Sequence, residues 1–275
     1  MKLDIAISPC PNDTFIFGYM EKEGFKNNPV EFHFHDVEKL NELALSEQRY
    51  TVSKNSFYAV LKLSEHYDLL DSGGALGRGC GPLLVSGSQE KKNDISLLLK
   101  NKKQILIPGR MTTANLLLQL FLSDRGIHPE GIELIPLRYD KIIDRLKTDP
   151  GSLGLIIHEE RFTFMKAGCS SIQDLGEWWE NKTGLPIPLG GICLRKDHSS
   201  IKNELENAIR ESIRKARKND TPVMPFIKKH SQSLDDEVIR AHINLYVNEF
   251  SLDTGNTGKE AIAALREAAV SAGLL

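Results

Sequence analysis

The chain has 275 residues, enough for one or two domains. With 40% hydrophobic and 26% charged residues it has the makeup of a soluble globular protein, which excludes disorder of the whole chain. A net charge of −2 excludes a broadly basic nucleic-acid surface, and no run of about 18 apolar residues is present to span a membrane.

The first pattern is a buried strand, Leu3 to Ile7. Its apolar run Ile5-Ala6-Ile7 falls short of the about 7–15 residues of a secretory leader. Cys10, Cys80, Cys169 and Cys193 are scattered and form no CxxC, which predicts neither a zinc site nor a disulfide framework and fits a reducing, cytoplasmic setting. Ser8-Pro9-Cys10-Pro11-Asn12-Asp13 follows as a turn at the strand's carboxyl end, and a helix then runs to about Glu23, stopped by Gly24. This turn reads either as a proline-stiffened loop with Asn12 or Asp13 capping the helix, or as a binding loop.

Val30 to His35 alternates as a half-buried strand, and Asp36 caps a helix carrying Val37, Leu40, Leu43 and Ala44 at helical spacing. Thr51-Val52-Ser53 is a short strand, and a further helix begins at Phe57. The segment Ser53-Lys54-Asn55-Ser56 enters that helix. A lysine among hydroxyls and an amide at a helix start predicts an anion site; the plainer reading is an exposed lysine with Ser56 as the cap.

The glycine-rich stretch Gly73 to Gly81 lacks both P-loop and dinucleotide spacing and reads as a close-packing or cleft-wall loop. Pro82 to Ser86 is a strand, and Gly87 to Asn93 is polar and linker-like. A second alternating set has strands at Ile105–Ile107, Ile132–Leu137 and Leu153–Ile157, with helices at Ala114–Leu122 and Tyr139–Lys147. At its start, Gly109-Arg110-Met111-Thr112-Thr113-Ala114 offers hydroxyls and free N–H groups at a helix N-terminus. At its end, His158 closes a hydrophobic strand. An imidazole with an ordinary pKa near 6.5 suits proton abstraction there; a hydrogen-bonded strand-end histidine is the plainer reading. Glu159 should point away from His158 if the strand continues, leaving Glu160 on the histidine's side.

Trp178-Trp179 reads as packing, Gly184 to Gly191 as a rigid extended segment, and the remainder from about Ser199 as helix. Lys91-Lys92, Lys102-Lys103 and Arg214 to Lys218 read as solvated basic faces, and no metal-ligand spacing stands out, His33 and His35 included. Strands alternating with helices over short connections predict mostly parallel sheets. Two such sets joined by extended crossings near 85–90 and 189–194 predict an α/β, two-lobed, hinged fold. Residues 1–88 plus 192–275 would form the larger lobe and 89–191 the smaller. A ligand would sit between them, beyond the strands' carboxyl ends.

Taken together, Ser8-Pro9-Cys10-Pro11-Asn12-Asp13-Thr14-Phe15, Gly109-Arg110-Met111-Thr112-Thr113-Ala114, Ile156-Ile157-His158-Glu159-Glu160-Arg161 and Trp178-Trp179 with Leu185-Pro186-Ile187-Pro188-Leu189-Gly190-Gly191 closely resemble the 1,4-dihydroxy-6-naphthoate synthase family of the futalosine route to menaquinone. The resemblance runs from residue 3 to about 195. It implies a type II periplasmic-binding-protein-like fold with the active site in the inter-lobe cleft. It also implies a lyase converting cyclic dehypoxanthine futalosine to 1,4-dihydroxy-6-naphthoate with release of the sugar-derived fragment, and neither metal nor organic cofactor. His158 matches the family's proton-abstracting base. Lys54, Asn55 and Ser56 fall on its first substrate-binding segment, and Thr113 and Ala114 on its second. With Thr112 and Asn12 beside them, these residues make the candidate site. The expected partner is a small molecule bearing an aromatic carboxylate. The alternatives are chorismate dehydratase of the same pathway, and a non-catalytic small-carboxylate-binding protein, against which the missing leader and the strand-end histidine both argue.

Overall fold

The apolar runs of the first half pair as expected into a sheet, with Leu3–Ile7 (β1) flanked in parallel by Val30–Phe34 (β2) and Val52–Ser56 (β3). The computed structural model describes residues 3–88, 104–127, 131–149, 151–232 and 235–275. Tyr67–Leu69 (β4) and Ala75–Gly77 (β5) complete the first sheet through Ile187–Arg195 (β11), which pairs antiparallel with β3, β4 and β5. The second sheet runs in the order Ser170–Asp174 (β10), Leu83–Ser86 (β6), Leu153–Ile156 (β9), Gln104–Ile107 (β7) and Glu133–Pro136 (β8). There β7 is parallel to β8 and β9, while β6 is antiparallel to β9 and β10.

Both sheets are therefore mixed rather than mostly parallel. The antiparallel members are the strands on which the chain enters the second sheet, β6, and returns to the first, β11. The crossings also lie earlier than expected. The chain leaves the first sheet after Gly77, joins the second at Leu83, and returns before Ile187. Leu83–Ser86 is buried throughout, and a buried extended segment satisfies its backbone by joining a ladder, so it cannot serve as a free connector. Most of the linker-like stretch Gly87 to Asn93, and the lysines at 91, 92, 102 and 103, lie outside the described residues.

One face of the first sheet buries Leu3, Ile5, Ile192 and Leu194 beneath the helices Pro11–Glu23, Lys202–Lys218 and Asp236–Tyr246, which contribute Phe17, Ile209, Ile213 and Ile239. The strandless C-terminal segment thus packs on the first sheet. A larger cluster joins both units, from Phe57 and Ile187 to Phe121, Trp178 and Trp179. Trp179 donates its Nε1–H to the Pro186 carbonyl at 3.2 Å, and Trp178 meets Phe121 edge-on at 5.5 Å, so the tryptophan pair is packing. Among the described residues no helix is long and apolar enough to cross a membrane.

Candidate active site

Four loops leave the carboxyl ends of β1, β3, β7 and β9 and converge on one cavity, with about 670 Å³ of empty space. All eight candidate residues line it: Asn12, Lys54, Asn55, Ser56, Thr112, Thr113, Ala114 and His158. Ser8, Asp13, Ala75, Cys80, Gly81, Leu189, Gly190 and Tyr246 also contribute. The glycine-rich stretch is thus part of the cleft wall, as expected.

In the first loop Cys10, not Asn12 or Asp13, is the N-cap, because Pro11 occupies the first helical position, where its missing N–H costs nothing. Asn12 and Asp13 lie within the first turn, both buried. Asp13 accepts from the Ser8 hydroxyl at 2.6 Å and from Asn12 Nδ2 at 2.9 Å. Its other partner is Lys54, whose Nζ lies 3.2 Å away.

Lys54 and Asn55 sit within β3 rather than at a helix start. The Lys54 ammonium is buried, paired with Asp13, and donates to the Gly73 carbonyl at 3.1 Å. A lysine among hydroxyls predicts a charge free to meet an anion; in the fold, that charge is matched by Asp13. Asn55 donates to the Leu40 carbonyl at 3.1 Å. Ser56 precedes the helix Phe57–Lys62 without a side-chain cap bond; its N–H donates to Asn41 Oδ1 at 2.9 Å and its hydroxyl accepts from Asn41 Nδ2 at 3.2 Å.

Thr112 caps the helix Thr113–Asp124 through the Asn115 N–H. The Thr113 hydroxyl donates to the Leu189 carbonyl at 2.7 Å, which ties this helix to β11 of the first sheet. The threonine hydroxyls are therefore engaged. What the helix start presents to the cavity is the class of backbone N–H groups that lack intrahelical partners.

The strand before His158 stops at Ile156, and His158 adopts a left-handed conformation, φ 56°. That turn breaks the expected alternation. It brings Glu159, not Glu160, to the histidine: a His158 ring nitrogen, a Glu159 oxygen and the Cys10 thiol lie within 4.8 Å of one another. Burial raises the Cys10 pKa well above the usual thiol range, with Glu159 adding to it, so the sulfur rests as a thiol. Glu160 instead faces Asp144 and Cys169, and burial pushes its carboxyl up to about 9.

His158 Nε2 is shielded from solvent and has no hydrogen-bond partner. Burial lowers its pKa to about 4, Asp13 opposing and Lys54 adding to the shift. The ring is flanked edge-on by Tyr139 at 4.9 Å and stacked by His242 at 6.0 Å. Tyr139, His242 and Tyr246 escaped the sequence reading. His242 and Tyr246 belong to the helix Asp236–Tyr246, where spacing alone marks a buried face and says nothing of what that face meets.

Comparison with known proteins agrees with this picture. A family model described as menaquinone biosynthesis matches residues 3–271. A 1,4-dihydroxy-6-naphthoate synthase of Thermus thermophilus is 40% identical, over 99% of this chain and 95% of that protein. One of Streptomyces coelicolor is 36% identical, over 99% and 94%. A crystal structure from Archaeoglobus fulgidus superposes with a TM-score of 0.86 at 32% identity, covering 100% of this chain and 98% of that one. A Candida albicans protein described as having the generic periplasmic binding protein fold gives 0.68 at 12% identity, a likeness of fold alone. Match, fold and cleft agree: the chain belongs to the menaquinone-biosynthesis family, as an enzyme of its 1,4-dihydroxy-6-naphthoate synthase branch.

Proposed function

We propose that the cavity binds cyclic dehypoxanthine futalosine and converts it to 1,4-dihydroxy-6-naphthoate, with His158 as the general base. The observation that carries this reading is the unpartnered, shielded Nε2 on the cavity wall, on an imidazole kept neutral by burial. A base must be unprotonated to act, and this one stays so at any pH well above about 4. It would remove a proton from a carbon of the bound substrate as the bond to the sugar-derived fragment breaks. The start of the helix Thr113–Asp124 supplies N–H groups and a positive dipole end for the aromatic carboxylate. Lys54 supports the site by neutralising Asp13.

The test is incubation with cyclic dehypoxanthine futalosine and mass-spectrometric detection of product. His158→Asn should lose at least about a hundredfold in kcat with most substrate affinity kept. Its turnover at the wild-type rate would remove the base assignment.

A further inference from the structure

We propose that Glu159 and His242 form a neutral, hydrogen-bonded pair behind His158, anchored by Asn12, which positions the base and keeps its surroundings uncharged. The proposal deepens the reading of His158 as the base.

Asn12 uses its Nδ2 on Asp13 Oδ1 at 2.9 Å, so its Oδ1 is the end that faces His242 Nε2 at 3.0 Å. An amide oxygen only accepts, so Nε2 carries a proton. A neutral imidazole then presents Nδ1 as an acceptor. Nδ1 faces Glu159 Oε2 at 3.6 Å. A carboxylate there would oppose acceptor to acceptor, whereas a carboxyl O–H supplies the donor, and a small rotation closes the bond.

The orphaned atoms point the same way. His158 Nε2, both Glu159 oxygens and His242 Nδ1 are buried with no hydrogen bond closed, although the Tyr139 hydroxyl is near enough to Glu159 to oppose in part the effect of burial, and all belong to this one cluster. A proton on Glu159, donated to Nδ1, satisfies one atom each of Glu159 and His242 and leaves His158 Nε2 free for substrate. Such unpaired groups are otherwise costly in a low-dielectric site. Burial favours the same protonation states, raising Glu159 and lowering His242 well below its ordinary value.

The groups facing Glu159 are Tyr139 and Asp140 from the turn 139–141, Cys10, its neighbour Glu160, and His242 and Tyr246 from the helix Asp236–Tyr246. Those facing His158 are Asp13, Lys54, Cys10, Tyr139 and His242. An ionised Glu159 would draw a proton onto His158 and spoil it as a base; a neutral one leaves the imidazole free.

Two measurements test the pair. In the infrared, wild-type enzyme at pH 7 should show a protonated-carboxyl stretch that Glu159→Gln removes, beside a second band from Glu160 that remains. This readout needs no turnover, so it decides the pair's protonation whether or not His158 proves to be the base. In kinetics, Glu159→Gln exchanges one neutral donor for another and should keep kcat within about threefold, with the acid limb of kcat/KM unmoved. His242→Phe should lower kcat about ten- to hundredfold at little-changed KM. His242→Gln, which can still donate to Asn12 and accept from Glu159, should recover most of that loss. The proposal is overturned if the Glu159 band is missing at pH 7. It is equally overturned if Glu159→Gln costs more than about tenfold in kcat or lowers the acid limb, or if His242→Phe and His242→Gln behave alike.

Discussion

The Lys54 charge, which predicts an anion site, is paired inside the protein with Asp13. Lysine among Ser53, Asn55 and Ser56 suggests an anion site, yet both partners of the pair are almost fully buried, with side-chain exposures of 7% and 2%. Removing one partner of such a pair leaves the other uncompensated. Lys54→Ala should therefore destabilise the fold by about 3–5 kcal/mol in chemical denaturation, and Asp13→Asn in the same chain should recover much of that. A stable Lys54→Ala enzyme with only its substrate affinity reduced would restore the anion-site reading. The loop motifs of the cavity were legible at this scale: all eight residues named from the loop motifs line it, beside others that were not named. Their hydrogen-bond partners were not legible, because Asn41, Gly73 and Leu189 reach them from other elements.

Strands and helices were mostly readable from periodicity. β1, β2, β7 and β9 fall where alternation or apolar runs place them, and Asp36 caps its helix through the Glu38 N–H at 3.1 Å. The readings that changed involve close approach between elements. Gly81, read only as part of a glycine-rich loop, packs its backbone on the start of the helix Leu175–Thr183: a Cβ there would stand 2.4 Å from Gly176 Cα. Both atoms are backbone, so relief requires the cavity wall and the helix to separate. Gly81→Ala should cost at least about 1–3 kcal/mol and, since Gly81 lines the cavity, raise KM. Unchanged thermal stability and KM would show that this contact yields easily.

For the whole molecule, the buried titratable groups set opposite limits on stability. The His158 imidazole holds its pKa near about 4 in the fold against an ordinary 6.5, so the unfolded chain takes up the proton first. Stability is lost as pH falls from about 6.5 toward 4. Glu160 acts at the other end. The fold keeps its proton up to about 9, while the unfolded chain releases it above about 4.5, so stability falls as pH rises through that window. Glu160→Gln should accordingly raise Tm at pH 8 by at least about 3 °C and change it little at pH 4, as followed by calorimetry. An equal shift at both pH values would mean that packing, not ionisation, is responsible.

By itself the sequence determined the local elements, the loops at the strand ends and the histidine among them, because periodicity, capping and proline are properties of a few adjacent residues. The tertiary structure alone decided three things. It put β6 in the second sheet, since a buried extended segment must find a ladder. It turned Glu159 rather than Glu160 toward His158, since a left-handed residue reverses the strand's alternation. It also brought Tyr246 to the cavity and His242 to the back of His158, from some 230 residues beyond Asn12, because a helix shows in its sequence which face is buried but not what that face will be buried against.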